Sequence, residues 1–253
     1  MQIRVMTYNI LNGAEGRENE VLRVVRAANP DVVVFQEVYT LAFLKNLAHE
    51  LQMGYFFLGD GNRKRRVGFI SRYPVRSWRS IHAFPIARNF IEARIEYRPN
   101  ETFHLIGVHP IATLSVLFEV WRWLEMGSIL QHYRQYADEP CLILGDFNAI
   151  APRDRMLLEP MPAWLKWTIR LQGNRAYHFS IGRLLAAGFT DCYRRLHADD
   201  GFTLPPPRPN SRLDYCFVND KMKASLSNCR VVLEPSAVEK ASDHYPVLAE
   251  FDL

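Results

Sequence analysis

Residues 141–148 read CLILGDFN, and the rest of the chain is best understood outward from them. Cys141, Leu142, Ile143 and Leu144 are apolar with no alternation, the pattern of a strand buried on both faces. Gly145 follows, a residue that lets the backbone approach a neighbour closely, and after it come Asp146 and Asn148. A carboxylate and a carboxamide at the end of a buried strand can together address a metal, a water or a phosphate. Gly-Asp with Asn is also ordinary turn chemistry, so this stretch needs company before it means catalysis.

Other strand ends supply that company. Residues 3–10 alternate weakly and read as a first strand that delivers Asn9 just before the turn signal Asn12-Gly13. Residues 18–28 place Val21, Val24, Val25 and Ala28 at helical spacing and stop at Asn29-Pro30. Residues 31–35 form a second buried strand, with Gln36-Glu37 where it emerges. A helix is expected over 41–51, a loop over 59–66, a strand over 67–70, and a hairpin of 91–97 with 103–108 around Pro99-Asn100, ending on His109-Pro110. A helix over 118–136 leads into CLILGDFN. Beyond it come an irregular Trp-, Pro- and Arg-rich span over 152–175, a helix over 181–187, and an extended loop over 201–210. Strands over 213–219, 229–233 and 246–252 complete the chain, with Asp214 near the start of the first and Asp243-His244 just ahead of the last. Interleaved elements without a short repeat or a low-complexity linker predict a single domain over residues 1–253.

Composition narrows the class. With 48% hydrophobic and 23% charged residues in 253, the chain can bury a sizeable core and is not generally disordered. The excess of 31 basic over 27 acidic residues and a pI near 8.9 tolerate a polyanionic partner. Cys141, Cys192, Cys216 and Cys229 show no CxxC spacing and read as reduced core residues. The opening MQIRVMTYNI has no apolar signal core, so a cytoplasmic location is expected. Residues 111–124 are too short to span a bilayer and read as a loop entering a core-facing helix. Residues 161–171, with Trp164, Lys166, Trp167 and Arg170, have a composition that suits a membrane surface, but packing against the body of the protein is commoner for such stretches. No stable membrane association and no obligate protein partner are therefore expected.

Collected from strand ends, the candidates are Asn9, Glu37, His109, Asp146, Asn148, Asp214, Asp243 and His244. Carboxylates, amides and two histidines without cysteine make a hard, oxygen-rich set that suits magnesium or manganese better than structural zinc. Such a site can polarise a phosphoryl oxygen, stabilise a leaving oxygen and help deprotonate water, the services that phosphodiester hydrolysis needs. Singly, each residue has a plainer reading, Glu37 as a helix-start carboxylate and Asp214 as a strand-edge charge among them.

In order, TYNI with Asn9, FQE with Glu37, the strand-end His109, GDFN, RLDY with Asp214, and SDHYP with Asp243 and His244 resemble the motifs of the endonuclease/exonuclease/phosphatase superfamily. The resemblance runs from the first strand to the last. It implies a four-layer α/β sandwich, two facing mixed β-sheets flanked by helices, with the site at one rim. It also implies roles: Glu37 as principal metal ligand with Asn9 and Asp243 near the metal, and Asp146 positioning or deprotonating the attacking water. Asn148 would hold a phosphate oxygen or orient Asp146, His109 and His244 would donate to the phosphate, and Asp214 would fix the tautomer and charge of His244.

The substrate is less legible, because one such fold hosts many phosphoesters. Arg63, Lys64, Arg65 and Arg66, followed by Arg72, Arg76 and Arg79, could track a phosphate backbone. Lys166, Arg170 and Arg175, interleaved with Trp164, Trp167 and Tyr177, could add charge and stacking. A divalent-metal-dependent, nonspecific DNA endonuclease is the first expectation. FTLPPPRP over 202–209 replaces the tryptophan-rich segment typical of abasic-site endonucleases, so that specificity is not expected. A sphingomyelinase-like lipid phosphodiesterase and a sugar- or inositol-phosphate phosphatase are the alternatives. A phosphate-binding module without activity is disfavoured, since no site residue is missing.

Overall fold

Side-chain alternation assigns each strand one face toward a shared core and one toward a helix layer. In β1 (Gln2–Asn9), Ile3 and Val5 enter the cluster between the sheets while Met6 and Tyr8 pack with the helices on the other side. In the CLILGDFN strand, Leu142 and Leu144 join the central cluster, and Cys141 and Ile143 face the opposite helix layer. The computed structural model describes residues 1–253 except 83, 85–87, 114, 160, 162, 174 and 175, and for Arg63 it describes no side chain.

In chain order the strands are β1, β2 (Val32–Gln36), β3 (Tyr55–Leu58), β4 (Val67–Ser71), β5 (Val75–Ile81), β6 (Phe90–Arg98), β7 (Glu101–Val108), β8 (Cys141–Asp146), β9 (Thr190–Asp191), β10 (Asp214–Val218), β11 (Leu226–Val231) and β12 (Val247–Asp252). One six-stranded sheet runs β11-β12-β1-β2-β4-β3 and the other β5-β6-β7-β8-β10-β9, each mixing parallel and antiparallel pairs. Helices α1 (Glu18–Ala28) and α2 (Leu41–Glu50) cover the first sheet, and α3 (Val116–Tyr133) and α5 (Phe179–Ala186) cover the second, with α4 (Ala163–Leu171) beside α3. This is the expected four-layer α/β sandwich.

Local chemistry explains the boundaries. The helix α1 ends where Asn29 adopts φ 46° and its N–H closes on the Val25 carbonyl, a left-handed cap that precedes Pro30. Thr40 and Ser115 cap α2 and α3 by accepting from Phe43 N and Phe118 N. The anticipated helix over 118–136 begins at Val116 and gives way to a 3-10 turn at Arg134–Tyr136. Three strands were not legible, among them the two-residue Thr190–Asp191. Tyr55–Leu58 is a half-buried apolar run, and Val75–Ile81 (VRSWRSI) is largely exposed; both sit at sheet edges, where burial leaves little pattern. The four cysteines are buried free thiols. No helix among the described residues is long and apolar enough to cross a membrane.

Candidate active site

The strand register brings the polar residues to one rim. Strands β1 and β2 are parallel, so Asn9 and Glu37 emerge at the same end of the first sheet. Strands β7 and β8 are parallel in the second sheet, which puts His109 beside Asp146. The antiparallel partner β10 starts at this rim, with Asp214 directly opposite Asp146 in register. Because β12 runs antiparallel to β1, the Asp243-His244 pair preceding it reaches the same place. Asn9 shares the parity of Ile3 and Val5, Asp146 that of Leu142 and Leu144, and Asp214 that of Cys216 and Val218, so all three lie in line with the inter-sheet core.

Asp146 is the hub. Its Oδ1 accepts Asn148 N at 2.9 Å, and its Oδ2 accepts Asn9 Nδ2 at 3.0 Å and Asn148 Nδ2 at 3.2 Å. His109 Nε2 lies 3.6 Å and His244 Nε2 3.9 Å from the same Oδ2. Asn9 reaches the other way, to Glu37 Oε1 at 3.4 Å, while Glu37 Oε2 accepts Asn12 N at 2.7 Å. His244 Nδ1 stands 2.8 Å from Asp214 Oδ2, and Asp243 Oδ1 lies 4.0 Å from His244 Nε2. All eight candidates therefore converge.

The backbone is strained where it must present these groups. Glu37 at φ 64° and Asn148 at φ 50° occupy the left-handed region, a cost of about 1–3 kcal/mol each that the surrounding hydrogen bonds hold in place. At Gly145 a Cβ would lie 2.0 Å from the Val108 carbonyl oxygen, so only glycine allows β8 to pair with β7 this close to the carboxylate.

Burial and charge set the protonation pattern. Burial pushes the Asp146 carboxyl up to about 6, opposed by the adjacent His244. For His244, burial disfavours the charged form, yet Asp214 and Asp146 outweigh it and raise the imidazole to about 10. Burial lowers His109 well below the ordinary histidine range, and nearby Arg88 and His244 add to that effect. One histidine is thus held charged and the other neutral in a single cleft.

Three supporting residues were not picked out from the sequence. Ser242 Oγ donates to the Asn9 carbonyl at 2.6 Å and accepts His244 N at 3.2 Å, tying the last motif to the first strand. Thr203 Oγ1 accepts both Leu213 N and Asp214 N, from a loop that sequence spacing does not connect to the site. Arg88 is half-buried, donates to the His109 carbonyl at 3.5 Å, and feels the charges of Asp146 and Glu37. An isolated arginine in a loop gives no sequence signal. The adjacency of Ser242 to Asp243-His244 does give one.

The basic candidates divide. The backbone of Arg66 accepts Val38 N, so the Arg63–Arg65 turn and Arg66 border the Glu37 end of the site; the Arg63 side chain lies outside the described residues. Lys64 and Arg65 are exposed there. Arg72 does not join them. It pairs with Asp31 at 3.4 Å, at the start of β2 and therefore at the sheet end opposite Glu37. Arg76 and Arg79 lie on β5, exposed but each paired with a carboxylate, Glu96 and Glu92. Arg170 is exposed on α4, and Lys166 donates to the Glu159 carbonyl on the same segment; Arg175 lies outside the described residues.

Comparison with known proteins places this site in context. The sequence profile of the Endonuclease/Exonuclease/phosphatase family matches residues 6–244. Exodeoxyribonuclease III of Haemophilus influenzae is 26% identical over 275 residues, covering 98% of this chain and 100% of that protein. An AP endonuclease from Archaeoglobus fulgidus superposes with a TM-score of 0.77 at 17% identity, covering 99% of this chain and 100% of the other. A 3′ phosphatase from Neisseria, solved with a product DNA hairpin, superposes with a TM-score of 0.74 at 21% identity over 99% and 100% of the two chains.

Proposed function

This chain belongs to the endonuclease/exonuclease/phosphatase family, and from that premise we propose that it is a divalent-metal-dependent phosphodiesterase acting on DNA, a nonspecific endonuclease using magnesium or manganese. The observation that carries the reading is Asp146 buried among Asn9, Asn148, His109 and a His244 held charged by Asp214. Exodeoxyribonuclease III among the relatives, and the cationic Arg63–Arg65 turn at the rim, support DNA as the substrate.

The residues fit a cation on the Glu37 side. Asp146, Asp214 and His244 have ligand atoms within 4.8 Å of one another, but both imidazole nitrogens face carboxylates and the ring is held charged, so a proton already serves that trio. Glu37 offers a hard carboxylate beside Asn9, and the 43%-exposed Asp243, 4.0 Å from His244, adds a second acidic oxygen at the same rim. When bound there, a divalent cation supplies Lewis acidity at the phosphoryl oxygen and stabilises developing charge. Asp146, deprotonated at neutral pH, orients a water and accepts its proton, with Asn9 and Asn148 fixing the carboxylate in place. Charged His244 donates to the phosphorane oxygens as negative charge builds, and Asp214 keeps it charged. Neutral His109 and the Asn148 amide complete the polar wall.

Supercoiled plasmid with magnesium or manganese tests this directly. Nicking is expected from the native protein and absent both with EDTA and from Asp146→Ala. Absence of nicking with either metal would sink the nuclease reading.

A further inference from the structure

The first half of helix α3 is amphipathic in the wrong sense for a helix that serves only its own core, before Met126 and Ile129 pack on the core in the ordinary way. Its inward side carries charge: Arg122, 1% exposed, binds Glu119 at 2.9 Å and donates to the Ile111 and Thr113 carbonyls, while Glu119 Oε1 accepts Ser180 N and Oγ and Glu125 accepts Ile111 N. Its outward side carries Leu117, Val120, Trp121 and Leu124, at the i, i+3, i+4, i+7 spacing of a single apolar stripe, with Leu117 79% exposed. Residues 111–124 thus enter a helix whose first core-facing positions, Glu119, Arg122 and Glu125, are polar, the reverse of the expected pattern, with apolar Met126 and Ile129 packing on the core only further along.

Beside it, α4 buries only Ile169. Trp164 and Trp167, each 64% exposed, and Leu171, 72% exposed, repeat an outward stripe one turn and two turns apart. The two helices meet where Val116 N donates to Gln172 Oε1 at 2.6 Å, so their stripes lie on neighbouring surface. Exposed large apolar side chains grouped on neighbouring helices in this way mark an interaction site.

We infer that the outward faces of α3 and α4 dock this protein on an anionic lipid surface. Charge selects the occupant. Between Glu159 and Asp191 the sequence holds Lys166, Arg170, Arg175 and Arg183 and no acidic residue, and the acidic residues of α3 are buried. Tryptophans beside cations on an exposed helix suit the headgroup boundary, where the amphipathic ring and the charged head both find partners. Aliphatic Leu117, Val120, Leu124 and Leu171 offer nothing to a nucleic acid. A second copy would set Lys166 and Arg170 near like charges across the symmetric contact. With no described helix able to span, the protein lies on the bilayer rather than through it. Because Arg122 ties α3 to residues 111–113, directly after His109, the docked surface adjoins the rim of the active site. The surface goes beyond the nuclease reading, and stands whichever phosphoester is cleaved.

Cosedimentation of the full-length protein with phosphatidylcholine vesicles, and with mixed phosphatidylcholine–phosphatidylglycerol vesicles, tests it. The anionic vesicles are expected to bind at least about tenfold more protein, with tryptophan emission shifted to the blue and quenched by brominated lipid. The triple variant Leu117→Gln, Trp121→Gln, Leu124→Gln should lose at least about tenfold in binding while its metal-dependent hydrolysis of soluble bis-p-nitrophenyl phosphate is unchanged. Should that variant misfold, Trp164→Gln with Trp167→Gln reports on the second stripe independently. No binding to anionic vesicles, equal binding by folded variants, or a lipid-free dimer that the triple variant dissolves would each overturn the inference. A failure of plasmid nicking would leave the vesicle result untouched, so the two readings fail separately.

Discussion

Asp214 illustrates how one buried carboxylate acts through its neighbour. It lies directly across from Asp146 in the β8–β10 register and holds His244 Nδ1 at 2.8 Å, so it competes with burial to keep the imidazole charged. Replacing Asp214 by asparagine preserves shape and removes that charge. We expect kcat to fall by roughly 10²–10⁴-fold, the range in which a general acid–base contribution lies, with near-ultraviolet circular dichroism unchanged. Activity within about threefold of the native protein would show that His244 needs no such partner. Asn9, Glu37 and Asp146 were legible as site residues because each follows an apolar strand and is polar where the strand should end. Thr203 and Arg88 were not, because a loop residue's side-chain target depends on where distant strands bring it.

At the scale of elements, the contact between β6, β7 and α3 rests on a buried carboxylate. Glu92 on β6 is hydrogen-bonded by His132 of α3, lies 3.6 Å from His104 of β7, and is paired with Arg79 of β5 at 3.2 Å. Burial alone would raise its carboxyl, but the nearby His104, the hydrogen bond from His132 and the charges of His132 and Arg79 prevail and hold it down to about 2. The folded value is depressed below the ordinary carboxylate value of 4.5, so Glu92 contributes stability that is fully present above pH 4.5 and lost as pH falls toward 2. Urea unfolding of the native protein and Glu92→Gln should therefore differ most near about pH 5–7, and the gap should narrow as pH falls toward about 3. A gap independent of pH would assign the difference to packing. The run Arg72, Arg76, Arg79 looked in the sequence like a polyanion track, because a chain of cations shows no partners until strands are paired. Pairing places Asp31, Glu96 and Glu92 against them.

For the whole molecule, the rim joins the ends of the two sheets, and a cation held there should bind them together. Metal binding to the folded state alone stabilises by about 2.7 kcal/mol at about a hundredfold excess over Kd. For a chain of this size that corresponds to roughly 5–10 °C in Tm. Magnesium or manganese should raise the melting temperature of the native protein by that order, EDTA should reverse it, and Glu37→Gln should abolish the shift. An unchanged shift in Glu37→Gln would move the metal to other ligands.

Sequence by itself determined most strands and the eight rim residues, because buried strands write continuous or alternating apolar runs and the polar residues ending them are read from position; the sandwich came with the motifs' resemblance to a known family. Only the tertiary structure decided the edge strands Tyr55–Leu58 and Val75–Ile81, the removal of Arg72 from the site, and the support given by Ser242, Thr203 and Arg88. It also decided that the first turns of α3 point Glu119, Arg122 and Glu125 inward and Leu117 and Leu124 outward, while Met126, Ile129 and Leu130 pack on the core further along. Apolar spacing fixes which residues share a helix face, but not the rotation of that face, and rotation is set by what the neighbouring elements offer: here Ser180, the Ile111 and Thr113 carbonyls, and the Glu119–Arg122 pair.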